Sequence, residues 1–128
     1  MVNDGHARNL PRATVLVVED EDAVADGIVE YLEGMGYQVF RAAIVTEAMH
    51  IILSRNVQVV FSDITMPGTL DGLDLVEWAQ KFRPALPFLL TSGRGRDPRI
   101  GNLPFVPKPY LYRDIDHWLH RLINDRLQ

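Results

Sequence analysis

The sequence predicts an α/β fold in which helices cover both faces of a five-stranded parallel sheet. Three observations support this doubly wound architecture. Short apolar runs alternate with segments whose apolar residues recur every three or four positions, the pattern of strands linked by crossover helices. The first run, TVLVV, is almost continuously apolar, as in a strand buried on both faces. The 128 residues, 47% of them apolar, suffice for one domain with a substantial core.

Five runs are predicted as strands because they combine apolar and β-branched residues. The first begins the domain, which we expect to cover 14–128 after a polar N-terminal tail, 1–13. The second run is more polar than the others, as an edge strand can be. The predicted strands cover 14–18, 37–42, 57–63, 87–92 and 104–109.

Four helices are predicted from apolar residues at helical spacing. They lie at 22–35, 46–55, 73–82 and 112–127. In the third helix, the expected buried residues include Leu73, Val76 and Phe82. The link 93–103, GRGRDPRIGNL, holds glycines and a proline and has no helical repeat, so we expect an irregular segment or a single turn there.

The composition argues against several classes of function. The net charge of −4 disfavours nucleic-acid binding, which needs a basic face. The absence of cysteine excludes disulfides, thiolate nucleophiles and cysteine-ligated zinc. No apolar run approaches the roughly 18 residues of a membrane span. The N-terminal residues hold no apolar segment typical of a secretory leader, so we expect a cytoplasmic location.

Polar residues lie at, or directly after, the carboxyl ends of four of the five predicted strands. Glu19 and Asp20 follow the first strand, Asp63 ends the third, Thr91 lies in the end of the fourth, and Lys108 lies in the fifth. Ligand sites of doubly wound sheets lie outside the carboxyl ends of their strands. Three carboxylates, a hydroxyl and an ammonium group are therefore expected to converge at one edge of the sheet.

This set of groups is suited to phosphoryl transfer. Clustered carboxylates raise one another's pKa unless a cation lies among them, and an all-oxygen cluster favours Mg²⁺. Lys108 supplies a second positive charge, and the Thr91 hydroxyl can donate to an anionic oxygen. Phosphoryl transfer relies mostly on positioning and charge neutralisation, and the acceptor can be a carboxylate.

The sequence resembles the receiver domains of bacterial two-component response regulators. Four segments carry the resemblance in the family's order: VLVVEDE (15–21), FSDITMPGTLDGLDL (61–75), LLTSG (89–93) and FVPKPY (105–110). The resemblance covers about residues 14–126 and implies the flavodoxin-like strand order 2-1-3-4-5. Because the chain ends at the last helix, we expect a stand-alone receiver. A receiver fragment of a longer regulator or hybrid kinase is the alternative.

The resemblance implies how the carboxylates act. Asp63 is the phosphoacceptor, attacking a phosphohistidine on a histidine kinase or a histidine phosphotransfer protein. Asp20 and Asp63 ligate Mg²⁺, Glu19 acts mainly through water, and the backbone carbonyl of Thr65 completes the protein ligands. Signalling then follows by protein–protein contact or phosphorelay.

The resemblance also implies roles for three residues on the last two strands. Thr91 bonds a phosphoryl oxygen and shifts on phosphorylation. Lys108 pairs with the phosphoryl group and precedes a bond to Pro109 that is often cis in the family. Phe105 lies at the switch aromatic position, which turns inward when the threonine moves; simple core packing is an equal alternative.

The sequence departs from the family pattern in three places. Glu19 stands where Asp is frequent, and the turn PGTLDG is one residue longer than its shortest forms. The link 93–103 replaces a helix that forms part of the dimerisation or output surface in many relatives, so no oligomeric state is predicted. Of the two acids after Asp20, we expect Glu21 to be solvated and Asp22 to cap the next helix.

Other functions agree with fewer residues. A phosphatase with an aspartyl nucleophile usually has a second Asp two residues later, where this chain has Thr65. An interaction module without phosphorylation would not need the complete set of groups. A flavin or dinucleotide site needs glycines and backbone amides after the first strand, where this chain is acidic.

Two further groups of residues are predicted to be ordinary surface. His117 and His120 lie three residues apart on the last helix, and no third metal ligand is evident. Arg94, Arg96 and Arg99 form a basic loop near the predicted site. We expect a solvated loop, with contact to a partner or a phosphate as the alternative.

Overall fold

A computed structural model describes residues 11–126 of the chain. Its five strands form one parallel sheet in the order β2-β1-β3-β4-β5, which confirms the predicted fold class and strand order. The strands are β1 Thr14–Val18, β2 Gln38–Ala42, β3 Val59–Asp63, β4 Phe88–Ser92 and β5 Phe105–Pro107.

Four helices cover the two faces of this sheet. Apolar residues of α1 and α4 pack on one face, and those of α2 and α3 pack on the other. The helices begin and end within about two residues of the predicted bounds. They are α1 Asp22–Gly34, α2 Val45–Ser54, α3 Gly72–Phe82 and α4 Tyr112–Arg126.

Successive residues of the central strands pack on opposite faces of the sheet. Val15 and Val17 of β1 face α1 and α4, whereas Leu16 and Val18 face α2 and α3. The same alternation runs through β3 and β4, and every residue of these two strands is buried. This double burial explains why the central strands are nearly continuous in apolar residues.

Most of the predicted N-terminal tail, 1–13, lies outside the described residues. Of its last residues, Ala13 is buried and Arg12 contacts the end of the domain. The Arg12 guanidinium donates to the Asp116 carboxylate at 3.2 Å and lies 4.4 Å above the ring of Tyr37. Tyr37 donates to the same carboxylate at 2.9 Å. These contacts connect the residues before β1 to α4.

The link between β4 and β5 is irregular, as predicted. Its only regular piece is a single 3-10 turn, Pro98–Ile100, where Asp97 accepts from the backbone amide of Arg99 at 2.8 Å. Ile100 is 1% exposed and packs in the same core as α3. One buried residue thus anchors a link whose glycines and proline disfavour a longer helix.

The buried side of α3 differs from the prediction. Phe82, expected to be buried, is 56% exposed and stacks against Trp78 with ring centroids 4.9 Å apart. Leu75 is fully buried instead. The prediction was wrong for these residues because α3 packs against α2 as well as the sheet, which shifts its buried stripe.

A capping box fixes the start of α3. Asp71 Oδ1 accepts from the amides of Leu73 and Asp74, both at 2.9 Å, and Asp74 Oδ2 accepts from the Asp71 amide at 2.8 Å. Arg99 donates to Asp71 Oδ2 at 3.1 Å. Burial would raise the pKa of Asp71, but the Asp74 amide and Arg99 outweigh it and lower that pKa.

We expect Asp71→Ala to lower the free energy of unfolding by about 1–2 kcal/mol at pH 7, the usual cost of a lost N-cap. Urea unfolding measures this difference. Because the pKa of Asp71 is lowered in the folded chain, its ionised carboxylate stabilises the fold at pH values above 3.8, the pKa of the unfolded chain. The difference in unfolding free energy between wild type and Asp71→Ala should therefore shrink as the pH falls below 3.8. Asp74→Ala, which keeps the cap itself, should cost less; an equal cost would contradict the assignment of the cap to Asp71.

Candidate functional site

The polar residues predicted at the strand ends lie on one face of the sheet. Asp63 and Thr91 are paired in the β3–β4 ladder, so their side chains point to the same face. Glu19 and Lys108 directly follow β1 and β5, each two residues after a valine that faces α1 and α4. The alternation that builds the core on this face therefore also aligns these four side chains.

Lys108 is the cation among the buried carboxylates. Its ammonium group donates to Asp63 Oδ2 and lies 3.7 Å from Glu19 Oε1. Asp63 is 5% exposed and Glu19 is 2% exposed. Burial alone would lower the pKa of Lys108, but its hydrogen bond to Asp63 and the charges of Asp63 and Glu19 raise it. Lys108 is therefore charged at neutral pH.

Glu19 is held in place by its surroundings. Burial raises the pKa of its carboxyl group, whereas the backbone amide of Glu21 and the charge of Lys108 act in the opposite direction. The Glu21 amide donates to Glu19 Oε2 at 3.0 Å. Asp20, in contrast, is exposed. The two neighbouring acids thus differ, one fixed inside the site and the other at its surface.

Thr91 carries a polar atom without a partner. Its Oγ1 is the one buried side-chain oxygen or nitrogen of the described residues that has no hydrogen bond. Leaving such a group unpaired costs roughly 1–3 kcal/mol. The neighbouring carboxylate is satisfied, since Asp63 Oδ1 accepts from the Thr65 amide at 3.0 Å. A free buried hydroxyl beside Asp63 is what a site needs to receive an anionic oxygen.

The oxygen groups of the site have the chemistry that Mg²⁺ prefers, although no metal-ligand cluster is formed. A cavity of about 410 Å³ is lined by Asp20, Asp63, Thr65, Arg94 and Lys108, among others. Within 11–126, no three acidic or histidine side chains converge in a metal-binding group. The ammonium of Lys108 lies against Asp63, and the predicted ligands include a backbone carbonyl, that of Thr65. The residues that could hold a cation are Asp20 and Asp63, which line this cavity together, and the backbone carbonyl of Thr65.

Arg41 belongs to this site and was missed by the sequence prediction, which assigned no chemistry to the second strand. Its Nε and Nη2 donate to the Glu19 carbonyl at 3.0 and 2.7 Å, and its Nη1 pairs with Asp22 at 3.0 Å. Asp22 lies in the first turn of α1 and Glu21 holds the N-cap position without a side-chain bond, so the predicted Asp22 cap was wrong. No signal in the sequence indicates the contact of Arg41 with Glu19, because it depends on the register of β1 and β2.

The predicted switch aromatic lies on the opposite face from Thr91. Phe105 is paired with Leu90, is half-buried, and packs with the core under α2 and α3. The Arg96 guanidinium lies 5.4 Å from the centroid of its ring. The Lys108–Pro109 peptide bond is cis, as the resemblance implies.

The three loop arginines are exposed but not equivalent. Arg96 donates to the Gly101 carbonyl, and Arg99 pairs with both Asp97 and Asp71. Arg94 lines the cavity beside Asp63. Two of the three therefore hold the link 93–103 together.

The predicted histidine pair does not share a site. His120 contacts Arg12 at 3.1 Å and Asn124 at 2.9 Å, whereas His117 is exposed. Neither belongs to a metal-binding group in the part of the chain that the structure describes.

Within residues 11–126, no helix is both long enough and apolar enough to cross a membrane.

Comparison with known proteins gives the family of the chain. Residues 15–103 match the family model of the response regulator receiver domain. The sensor kinase CckA of Brucella abortus is 40% identical over 111 residues, which are 80% of this chain and 12% of CckA. An NtrX-like response regulator of Rickettsia felis is 30% identical over 103 residues, 75% of this chain and 22% of that protein. The chain thus spans less than a quarter of these relatives.

A solved structure gives the same result for the fold. A CheY-like response regulator receiver domain protein from Methanospirillum hungatei superposes with a TM-score of 0.82 at 25% identity. The match covers 91% of this chain and 96% of that one. The family model covers well over half of the sequence, and the solved structure shares the fold of this chain. The chain therefore belongs to the response regulator receiver domains of two-component signal transduction.

Proposed function

We propose that Asp63 accepts a phosphoryl group from a phosphohistidine in a Mg²⁺-dependent reaction. The observation that carries the proposal is the meeting of a buried carboxylate, a charged Lys108 and an unpartnered Thr91 hydroxyl at neighbouring strand ends. These groups supply the nucleophile, a positive charge for the phosphoryl oxygens, and a hydrogen-bond donor. The proposed receiver domain covers 14–128, and its cytoplasmic location remains a prediction from the sequence.

The reaction moves one phosphoryl group between two side chains. A carboxylate oxygen of Asp63 attacks phosphorus, the P–N bond to the histidine breaks, and the imidazole keeps the electron pair and takes a proton. Mg²⁺, held by Asp63, Asp20 and the Thr65 carbonyl with Glu19 acting through water, would neutralise charge on the phosphoryl oxygens. Lys108 exchanges its bond to Asp63 for one to a phosphoryl oxygen.

The proposed signal begins at Thr91. Its hydroxyl, which has no partner beside the unphosphorylated Asp63, donates to a phosphoryl oxygen once one is present. This new hydrogen bond would shift Thr91 on phosphorylation. We propose that Phe105 then moves in response to the shift of Thr91. The chain catalyses only its own phosphorylation and dephosphorylation, and its output is contact with another protein or onward phosphate transfer.

The proposed phosphodonor is a histidine kinase or a histidine phosphotransfer protein. The matches to a sensor kinase and to an NtrX-like response regulator support this assignment. Because the chain spans small parts of both relatives, a receiver within a longer regulator or hybrid kinase stays an alternative to the stand-alone form.

Chemical labelling of the full chain tests the proposed function. With acetyl phosphate and Mg²⁺, we expect the mass to rise by one phosphoryl group, and hydroxylamine should remove that group because it cleaves acyl phosphates. EDTA should prevent the labelling. A hydroxylamine-resistant label, or equal labelling without Mg²⁺, would contradict the proposal. Steady hydrolysis of phosphomonoesters would instead favour the aspartyl phosphatase.

A further inference from the structure

We propose that Arg41 is a positioning residue for the loop that carries Glu19 and Asp20. The loop joins β1 to α1, and Arg41 reaches it from the neighbouring strand β2. The part of this proposal that concerns Mg²⁺ rests on the proposed function. The geometric part, that Arg41 holds the loop backbone, does not.

The first argument is that β2 holds both backbone groups of Glu19. The Glu19 amide donates to the Ala42 carbonyl at 3.0 Å, which continues the β1–β2 ladder by one residue. The Glu19 carbonyl accepts from two nitrogens of Arg41, Nε at 3.0 Å and Nη2 at 2.7 Å. That carbonyl belongs to the peptide group joining Glu19 to Asp20. Arg41 therefore fixes the plane from which both proposed metal-binding side chains project.

The second argument is electrostatic. Residues 19–22, directly after β1, are four consecutive acids. Repulsion between their carboxylates favours loop conformations in which these side chains lie farther apart. Lys108 offsets this repulsion from the side of Asp63, and Arg41 does so from the side of β2 by pairing with Asp22 at 3.0 Å. The Arg41 side chain is 26% exposed but that of Asp22 is 84% exposed, so water screens this ion pair and it contributes less than the bonds to the Glu19 carbonyl. The loop is held between two cations.

The charge of Arg41 and its hydrogen-bonding geometry predict opposite effects on Mg²⁺ binding, which makes the role testable. The positive charge of Arg41 repels Mg²⁺, so its removal would tighten binding if charge alone mattered. Its planar fork holds the loop in one arrangement, so its removal would weaken binding if positioning matters more. We infer that positioning dominates, because Nε and Nη2 both donate to the backbone, whereas Nη1 only forms an ion pair with the exposed Asp22.

The test compares Arg41→Ala and Arg41→Lys with the wild-type chain by amide NMR titration with Mg²⁺ alone. We expect both variants to bind Mg²⁺ about tenfold more weakly, the lower end of the range for residues that orient metal ligands. Lysine should not rescue, because it keeps the charge but lacks the planar fork. Arg55→Ala is the matched control, since Arg55 lies over the Phe40 ring of the same strand, and it should leave Mg²⁺ affinity unchanged.

A second measurement needs no metal. Hydrogen exchange of the Glu19 amide should speed up in both Arg41 variants and not in Arg55→Ala, because the Ala42 bond then opens more often. Arg41→Lys serves alone if Arg41→Ala fails to fold. Unchanged exchange together with unchanged or tighter Mg²⁺ binding in Arg41→Lys would overturn the proposal.

The variant Asp20→Ala distinguishes failure of the proposed function from failure of the Arg41 proposal. Asp20→Ala should lose Mg²⁺ binding if the site is the one proposed. If Asp20→Ala binds Mg²⁺ as the wild type does, the metal assignment is wrong. The exchange rate of the Glu19 amide then still decides whether Arg41 holds the loop.

Discussion

Asp63→Asn is expected to abolish Mg²⁺-dependent labelling of the chain by acetyl phosphate. Asparagine has nearly the same shape, and its amide oxygen can accept from the Thr65 amide as Asp63 Oδ1 does at 3.0 Å. The amide is not a useful nucleophile for phosphorus, and it carries no charge to attract the cation or to bind the Lys108 ammonium. Mass spectrometry of the intact chain after incubation measures the loss.

The control for this substitution is Asp26→Asn, which makes the same change at an exposed position of α1. It should be labelled as the wild type is. Circular dichroism and urea unfolding of Asp63→Asn should show a folded chain, so that lost labelling cannot be attributed to unfolding. Wild-type labelling of Asp63→Asn would mean that another carboxylate, such as the buried Glu19, is the acceptor.

The fold could be predicted from the sequence because strand and helix patterns alternate along nearly the whole chain. The central strands are buried on both faces, so their apolar residues run without interruption and mark them clearly. The location of the site could be predicted as well, because parallel strands bring their carboxyl ends to one edge of the sheet. Glu19, Asp63, Thr91 and Lys108 do lie on one face there, and their roles remain proposals.

The contacts that sequence could not predict depend on which side chains meet across elements. Arg41 reaches Glu19 only because β1 and β2 pair with Val17 opposite Arg41. Periodicity within one segment carries no information about that register. For the same reason the buried stripe of α3 was misplaced, since its contact with α2 decides that Leu75 is buried and Phe82 is not.

The irregular link 93–103 affects the predicted switch. Arg96 lies over the Phe105 ring and donates to the Gly101 carbonyl within the same link. Movement of Phe105 would therefore disturb the link itself, without a longer helix to transmit the change. The regular structure between β4 and β5 is limited, within the described residues, to a single 3-10 turn.

Gly72→Ala is expected to have the largest effect on stability among substitutions near the site. A Cβ at position 72 would overlap the Asp63 carbonyl oxygen and lie 2.9 Å from the Ile64 Cα, closer than side-chain carbons come in folded proteins. Both atoms belong to the backbone at the end of β3, and the Gly72 amide already donates to the Ile64 carbonyl at 2.8 Å. Neither can rotate away, so α3 must shift relative to the strand that carries Asp63.

We expect Gly72→Ala to lower the free energy of unfolding by about 3 kcal/mol, the upper part of the usual range for overpacking. Urea unfolding followed by tryptophan fluorescence measures it, and labelling of Asp63 should slow as well because the phosphoacceptor is displaced. Gly34→Ala is the control: nothing lies within 4 Å of a Cβ there, so the gain in helix propensity should leave the chain as stable or up to about 1 kcal/mol more stable. If Gly72→Ala matched Gly34→Ala in stability, the close approach of α3 to the end of β3 would not exist in solution, and the position of Asp63 could not depend on it.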